Sequence, residues 1–260
     1  MFQVNKLPIQ SFVKLTINKN EEWCRMNVSR KFEVEQLQKA KSELFDKDVL
    51  NILNGQVMYE EFKENKLMGD SDYVPFNEAM CVNASTKQVF DKEFIKTRAF
   101  GHHESIENYM KKVIDPLDNL LNKEYKYIVL WFGEDMFCQM NLLTILSYLE
   151  KSGYEGKVFL NGFREDEFKV SQTELTLGNY YSVYKKVLIN YEKPLIELLP
   201  VMNQAIDIYL DMLKENNTVV KYISQNKDLP TAELLNKLFD LFPTVGYGDL
   251  QYIELINKVR

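Results

Sequence analysis

Apolar positions in this chain fall into short dense runs separated by amphipathic stretches. The densest run is Tyr127-Ile128-Val129-Leu130-Trp131-Phe132; it stops at Gly133-Glu134-Asp135 and gives way to an apolar-rich helical pattern reaching Leu149. A run apolar on both faces predicts an interior strand covered by helices. Val49 to Leu53, ended by Asn54-Gly55, reads as a second strand, and Ser71 to Phe76, ended by Asn77-Glu78, as a third. Gly156 introduces a fourth, Lys157 to Leu160, ended by Asn161-Gly162. Between them, Val57 to Lys66 reads as a helix with Gly69 in the C-cap position that glycine favours. Ser105 to Leu121 carries Ile106, Tyr109, Val113, Leu117 and Leu120 on one helical face, interrupted by Asp115-Pro116 as a kink or as the cap of a new helix. Strands joined by helical connections of this length predict a mainly parallel sheet.

The flanks differ. Residues 1–46 read as a prefix with one helix, Glu33 to Phe45, and a short strand, Ser11 to Ile17. Beyond a charged turn at Arg164-Glu165-Asp166-Glu167, Val170 to Leu177 reads as an edge strand. From Asn179 the pattern is helical: Leu195, Leu199, Met202, Ile206, Tyr209 and Leu213 form one face, Pro230-Thr231 opens a further helix, and Leu250 to Val259 is the last. The helix after the densest strand has only a narrow polar stripe, Asn141, Thr144, Ser147 and Lys151, which predicts deep burial. The expected architecture is α/β: a mainly parallel, Rossmann-like three-layer sheet over 47–178, preceded by the prefix 1–46 and followed by a helical C-terminal extension, 179–260.

Composition narrows the function classes. A net charge of -6 argues against a dominant nucleic-acid footprint, which would normally be basic. No run approaches the ~18 apolar residues of a membrane span, and the first residues lack the apolar core of a signal peptide, so a cytoplasmic protein is the expectation. The three cysteines, Cys24, Cys81 and Cys138, are too scattered for a C-x-x-C pair. Cys138 follows a strand–helix turn, where a helix N-terminus can activate a thiolate; no base for it is identifiable, and a small buried hydrophobe is the plainer role. His102 and His103 are the only histidines. They read as a surface pair after Gly101, and no metal site is expected. Dinucleotide, P-loop and nucleophile-elbow signatures are absent.

What remains is a set of turns. Asn54-Gly55-Gln56, Asn77-Glu78, Gly133-Glu134-Asp135 and Asn161-Gly162 each follow a predicted strand. In a parallel sheet they lie along one edge, where glycine admits a ligand and helix N-termini offer N–H groups to an anion. Glu78, Glu134 and Asp135 suit a cation, sugar hydroxyls or acid–base work. The plainer reading is that Asn-Gly is ordinary turn chemistry and that acidic residues cap helices.

These segments resemble the family of the domain of unknown function numbered 1835, which comprises uncharacterised bacterial proteins. The resemblance runs from Leu50-Asn51-Ile52-Leu53-Asn54-Gly55 through Asn77-Glu78-Ala79-Met80-Cys81 and Arg98. It is densest at Leu130 to Gln139 and returns in Leu241-Phe242-Pro243 and Gly246-Tyr247-Gly248-Asp249-Leu250-Gln251-Tyr252. Many members carry Asp where this chain has Gln56. No activity or cofactor comes with the resemblance. The expected function is binding of a small polar ligand, such as a nucleotide or phosphate ester, by Asn54, Gly55, Glu78, Arg98, Glu134, Asp135 and Gln139 around one cavity, with Arg98 pairing an anionic group. A different class of function is a regulator or adaptor whose C-terminal helices contact DNA or a protein partner. Residues 227–260 carry four basic against five acidic residues, which does not favour DNA. A third reading is a scaffold whose pocket is filled by its own side chains.

Overall fold

The structure is a computed structural model that describes residues 33–163 and 170–260. The expected strand at 11–17, Cys24 and the charged turn at 164–167 lie outside the described residues.

Among the described residues five strands form one sheet: β1 (Val49–Leu53), β2 (Asp72–Pro75), β3 (Tyr127–Gly133), β4 (Lys157–Phe163) and β5 (Val170–Leu175). Their order is β2-β1-β3-β4-β5, with the first four parallel and β5 antiparallel on β4. The Val, Ile, Leu and aromatic content of β1 and β3 suits a pleated surface buried on both faces, and every residue of β1 is buried. Leu50, Ile52, Ile128, Leu130, Phe132, Val158 and Leu160 contribute to one core, shared with the helices between β2 and β4 and with the C-terminal helices. Val49, Leu53, Val129, Trp131 and Phe159 contribute to a second core. There they meet Val34 of α1 (residues 33–40), Leu44 and Phe45 of a 3-10 turn, and Phe62 of α2 (Gln56–Glu64). This is the expected α/β three-layer arrangement.

The chain steps from β1 outward to β2, then jumps back past β1 to β3. Doubly wound sheets bind ligands where the strand order reverses in this way, outside the carboxyl ends of the strands. Here that point lies between β1 and β3.

Helix α3 (Lys92–Gly101) was not legible in the apolar pattern: its Arg98 is buried and its Phe100 is exposed. The expected long helix at 105–121 is broken into α4 (Ile106–Tyr109), a π turn (Met110–Ile114), a 3-10 turn (Asp115–Leu117) and α5 (Asp118–Asn122). Pro116 has no N–H and its ring crowds the carbonyl four residues back, so a regular helix cannot run through it. Tyr109, Val113, Leu117 and Leu120 are buried as expected, but Ile106 is exposed.

Helix α6 (Met136–Lys151) is sheathed by the sheet, by α7 (Tyr180–Tyr184) and by α8 (Pro200–Met212). Its polar stripe is interior: Asn141, Thr144 and Ser147 are fully buried. Helices α9 (Thr218–Gln225), α10 (Thr231–Leu241) and α11 (Asp249–Val259) complete the C-terminal region and bury Ile223, Leu234, Leu238, Tyr252 and Ile256 in the same core. Leu195 stands outside α8 and is fully exposed, and Leu213 is also exposed, so the expected apolar face is confined to Met202, Ile206 and Tyr209.

Two turn readings need correction. Gly69 does not cap α2, whose C-cap is Asn65; it occupies a left-handed turn (φ +62°) packed against the Phe45 carbonyl. Asn161-Gly162 is not a turn either. Asn161 pairs with Trp131 inside the β3–β4 ladder, and the strand runs on to Phe163 because β5 covers its outer edge.

Trp131 anchors the second core. It has no exposed surface, its indole N–H donates to Asn51 Oδ1 at 2.9 Å, and its ring meets Phe62 edge-on at 4.7 Å between centroids. Trp131→Ala is expected to lower unfolding free energy by roughly 3–5 kcal/mol, the usual range for a large buried aromatic. Urea denaturation at neutral pH measures it, and a loss below about 1 kcal/mol would show that the second core closes over the gap.

Candidate functional site

Helix α3 ends in a sequence that places Arg98 and His102 four residues apart, on one face of its last turn. Glu78, in the loop after β2, lies under that face. Its side chain is almost fully buried, and five donors converge on it. Arg98 Nη2 donates to Oε1 at 2.8 Å and Arg98 Nε to Oε2 at 3.2 Å. His102 Nε2 lies 2.7 Å from Oε1, the Ala79 N–H donates to Oε1 at 2.8 Å, and the Tyr109 hydroxyl donates to Oε2. Arg98 spends its other N–H groups on the loop itself, donating to the carbonyls of Ala79, Val82, Asn83 and Ala84 at 2.7–3.2 Å.

This cluster fixes the ionisation of its members. Burial alone would push the Glu78 carboxyl up, but the His102 hydrogen bond and the Arg98 charge outweigh it and hold the group well below the usual carboxylate range. Burial and the Glu78 charge push the Tyr109 hydroxyl far up, so it stays protonated. Burial likewise raises the nearby Cys81 thiol, which is therefore inert.

Asn141 of α6 ties this loop to the sheet. Its Nδ2 donates to the Glu78 carbonyl at 2.6 Å and to Asn54 Oδ1 at 2.9 Å, and its Oδ1 accepts from the Met80 N–H. Asn54 Nδ2 in turn lies 2.9 Å from Cys138 Sγ, so that thiol is a hydrogen-bonded part of the packing between β1 and α6.

In front of the cluster, at the carboxyl ends of β1 and β2, is a cavity of about 390 Å³. Asn54, Gly55, Gln56, Asn77, Glu78, His102, Glu104, Tyr109, Lys112 and Phe137 are among the residues that line it. Pro116 shapes this wall. The Lys112 carbonyl, four residues before it, has no α-helical donor and instead accepts from Asn77 Nδ2 at 3.1 Å. Asn77 Nδ2 also donates to Gln56 Oε1, and Lys112 Nζ pairs with Glu104 Oε1 at 2.5 Å. In two of these lining residues one oxygen, Asn77 Oδ1 and Glu104 Oε2, is buried with no hydrogen-bond partner among the described residues.

The turn after β3 is built differently. All four leading N–H groups of α6 are taken by the chain itself. Met136 and Phe137 donate to the carbonyls of Thr244 and Val245, Cys138 donates to Asp135 Oδ1, and Gln139 donates to the Asp135 carbonyl. Gly246, at φ +71°, lies directly over the Asp135 carboxylate: a Cβ there would stand 2.0 Å from Oδ1. Burial raises the Asp135 carboxyl above its ordinary value, partly offset by its hydrogen bonds with Cys138. Gln139 lies beneath the turn and donates to the Gly133 carbonyl at 2.6 Å.

The seven residues singled out in the sequence therefore divide. Asn54, Gly55 and Glu78 line the cavity. Arg98 does not reach it; the guanidinium is fully buried behind Glu78, so its anionic partner is the protein's own carboxylate. Asp135 and Gln139 belong to the closed turn of α6, and Glu134 is exposed on that turn. His102 is not part of a surface pair: only about a quarter of its side chain is exposed, whereas His103, in a left-handed conformation, is exposed. The Arg98–His102 spacing was the available signal. Tyr109, Asn141, Glu104 and Lys112 carried none beyond helical periodicity.

Comparison with known protein families, curated proteins and solved structures finds no match for this chain. Among the described residues, no helix is long and apolar enough to cross a membrane, and no group of histidine, cysteine and acidic residues is arranged to hold a metal ion.

Arg98→Ala leaves a buried carboxylate without its charge partner, and is expected to cost about 3–5 kcal/mol of stability. Because the folded-state value of Glu78 is depressed, its stabilisation is complete above its ordinary value of 4.5 and is lost as the pH falls below that. The stability gap between the parent protein and Glu78→Gln should therefore narrow between about pH 6 and about pH 3; a gap that is constant with pH would contradict the ionised pair. Gly246→Ala puts a side chain into a left-handed conformation and against Asp135. A loss of at least about 1 kcal/mol is expected in thermal or urea melts, and an unchanged melt would mean the tail turn moves freely.

Proposed function

We propose that this protein binds a small polar ligand in the cavity outside the carboxyl ends of β1 and β2. The observation that carries the reading is the pair of unpartnered buried oxygens in the cavity wall, Asn77 Oδ1 and Glu104 Oε2. Buried acceptors in folded proteins nearly always find a donor, and both residues line a space of ligand size, within the ~300–1,000 Å³ of ordinary small-molecule sites. They call for hydroxyl or amino groups on the ligand. An anionic end has its own place. Helix α2 begins at Gly55 (φ +102°) with no side-chain cap, and no atom lies within 4 Å of that glycine's open side. A helix start of this kind attracts phosphate or carboxylate through its N–H groups, and Lys112 lines the same cavity. A hydroxyl-bearing phosphate ester, free or as part of a nucleotide, has both parts.

The same reading treats the chain as a relative of the domain of unknown function 1835 family. The segment densest in that resemblance, Leu130 to Gln139, and the tail in which it returns, Leu241 to Tyr252, meet in one place, where the Thr244 and Val245 carbonyls cap α6. On this view the shared motif maintains the closed turn, and the ligand lies one strand further out.

Mass spectrometry of small molecules released from the purified protein, followed by calorimetric titration with glycerol 3-phosphate and a nucleoside monophosphate, tests the proposal. Glu104→Ala, which removes one unpartnered oxygen, is expected to weaken binding by about tenfold, or about 1.4 kcal/mol, with little change in melting temperature. Full-strength binding by Glu104→Ala and Lys112→Ala alike would place the ligand elsewhere.

A further inference from the structure

The imidazole of His102 is held in a way that packing alone does not require. Glu78 is ionised and accepts only, so the nitrogen beside it, His102 Nε2 at 2.7 Å, must carry the proton. That assignment leaves Nδ1 as the unprotonated, electron-pair-bearing nitrogen of the neutral ring. Among the described residues none hydrogen-bonds to Nδ1, and His102 lines the cavity with about a quarter of its side chain exposed. Backbone geometry fixes the ring from the other side: His102 is the C-cap of α3, and its N–H donates to the Arg98 carbonyl at 3.0 Å.

We propose that His102 is a general base, with Glu78 as its positioning residue, and that Nδ1 takes the proton of a ligand hydroxyl in this cavity. The inference rests on the ligand site proposed above and assigns it a reactive group. In the step, the Nδ1 electron pair forms a bond to the hydroxyl proton, and the O–H bonding pair remains on the ligand oxygen, which becomes the nucleophile. The imidazolium so formed is stabilised across its Nε2–H by the Glu78 carboxylate, and the proton is later returned to a leaving oxygen or to solvent. A carboxylate behind an imidazole that faces the substrate is the recurrent arrangement for such proton transfer, because it fixes the tautomer and favours the protonated product.

Charged and polar groups surround the ring. Arg98 Nη2 lies 3.1 Å from His102 Nε2 and neutralises Glu78 in the resting state, so the ring faces a compensated pair rather than a bare anion. The Tyr109 hydroxyl, from α4, donates to the other Glu78 oxygen, and its ring stacks on His102 with centroids 6.3 Å apart. Glu104 and Lys112, which line the same cavity, pair with each other and add no net charge.

The chain has only two histidines, so the test is uncrowded. In His103→Gln, His102 is the single histidine, and long-range 1H–15N spectra of the labelled, ligand-free protein report its tautomer. The expected spectrum has Nε2 protonated and Nδ1 unprotonated, with Nε2–H in at least tenfold excess. Diethyl pyrocarbonate should then add one carbethoxyl group to His102 while the Nε2–H signal persists, placing the adduct on Nδ1. A predominant Nδ1–H tautomer, an imidazolium throughout the pH range of the folded protein, or failure of His102 to react would each overturn the assignment. Tyr109→Phe keeps the Arg98–Glu78 pair and provides a folded variant in which the tautomer must persist if Glu78 sets it; a switch to Nδ1–H there would also overturn it. These measurements need no ligand. A negative calorimetric titration bears on the proposed ligand, whereas a wrong tautomer bears on His102 alone.

Discussion

The buried pair of Glu78 and Arg98 is the constraint on which the site depends. Taking both charges out of water is expensive, and the cost is recovered only when nearly every lone pair and N–H finds a partner. That condition is met here by recruiting an irregular loop. Residues 79–84 have no strand or helix to satisfy their carbonyls, yet several of them are buried. The Arg98 guanidinium accepts that task, taking four of those carbonyls while holding Glu78 with a fork. Lysine, with a single point of charge, could not do both. One ion pair thus fixes the loop after β2, the end of α3 and the end of α4, which together make the inner wall of the cavity.

The two helix starts at the sheet's switch point have opposite fates. The N-terminus of α6 is closed by the chain's own carbonyls and by an aspartate, with a glycine pressed over it. The N-terminus of α2 begins at a glycine with open space beside it. The same physics that draws an anion to a helix start is satisfied internally in one case and left outward in the other. This displaces the cavity from the β1–β3 crevice toward β2, where Asn77, His102, Glu104 and Lys112 converge.

Much of the fold was legible because the apolar runs at 49–53 and 127–132 admit almost no other reading: both are buried on both faces, and helical stretches separate them. Asn161-Gly162 misled because its turn chemistry is genuine in isolation. An edge partner, β5, extends the ladder through it, and its pairing of Asn161 with Gln172 and of Gly162 with Ser171 leaves no mark in the turn itself. Helix α3 hid because its charged residue faces inward and an aromatic faces outward, which inverts the amphipathic rule. The candidate site was legible only in part. Asn54, Gly55 and Glu78 follow from strand ends, which local pattern reveals. His102 and Asn141 owe their roles to Glu78 and Asn54, contacts across 24 and 87 residues respectively. The closure over Asp135 depends on residues more than a hundred positions away.

That last separation has a consequence for the order of events during synthesis. Helix α6 lies at the centre of the molecule, between the sheet and the C-terminal helices, and its apolar surface favours early collapse. Yet two of its first N–H groups have no acceptor until Thr244 and Val245 have left the ribosome. Until then the growing chain holds a central helix with an unfinished, electropositive start, next to a sheet already able to form. The tail turn is therefore the last piece of the β3–α6 junction to arrive, and its docking replaces water on those two N–H groups with the chain's own carbonyls.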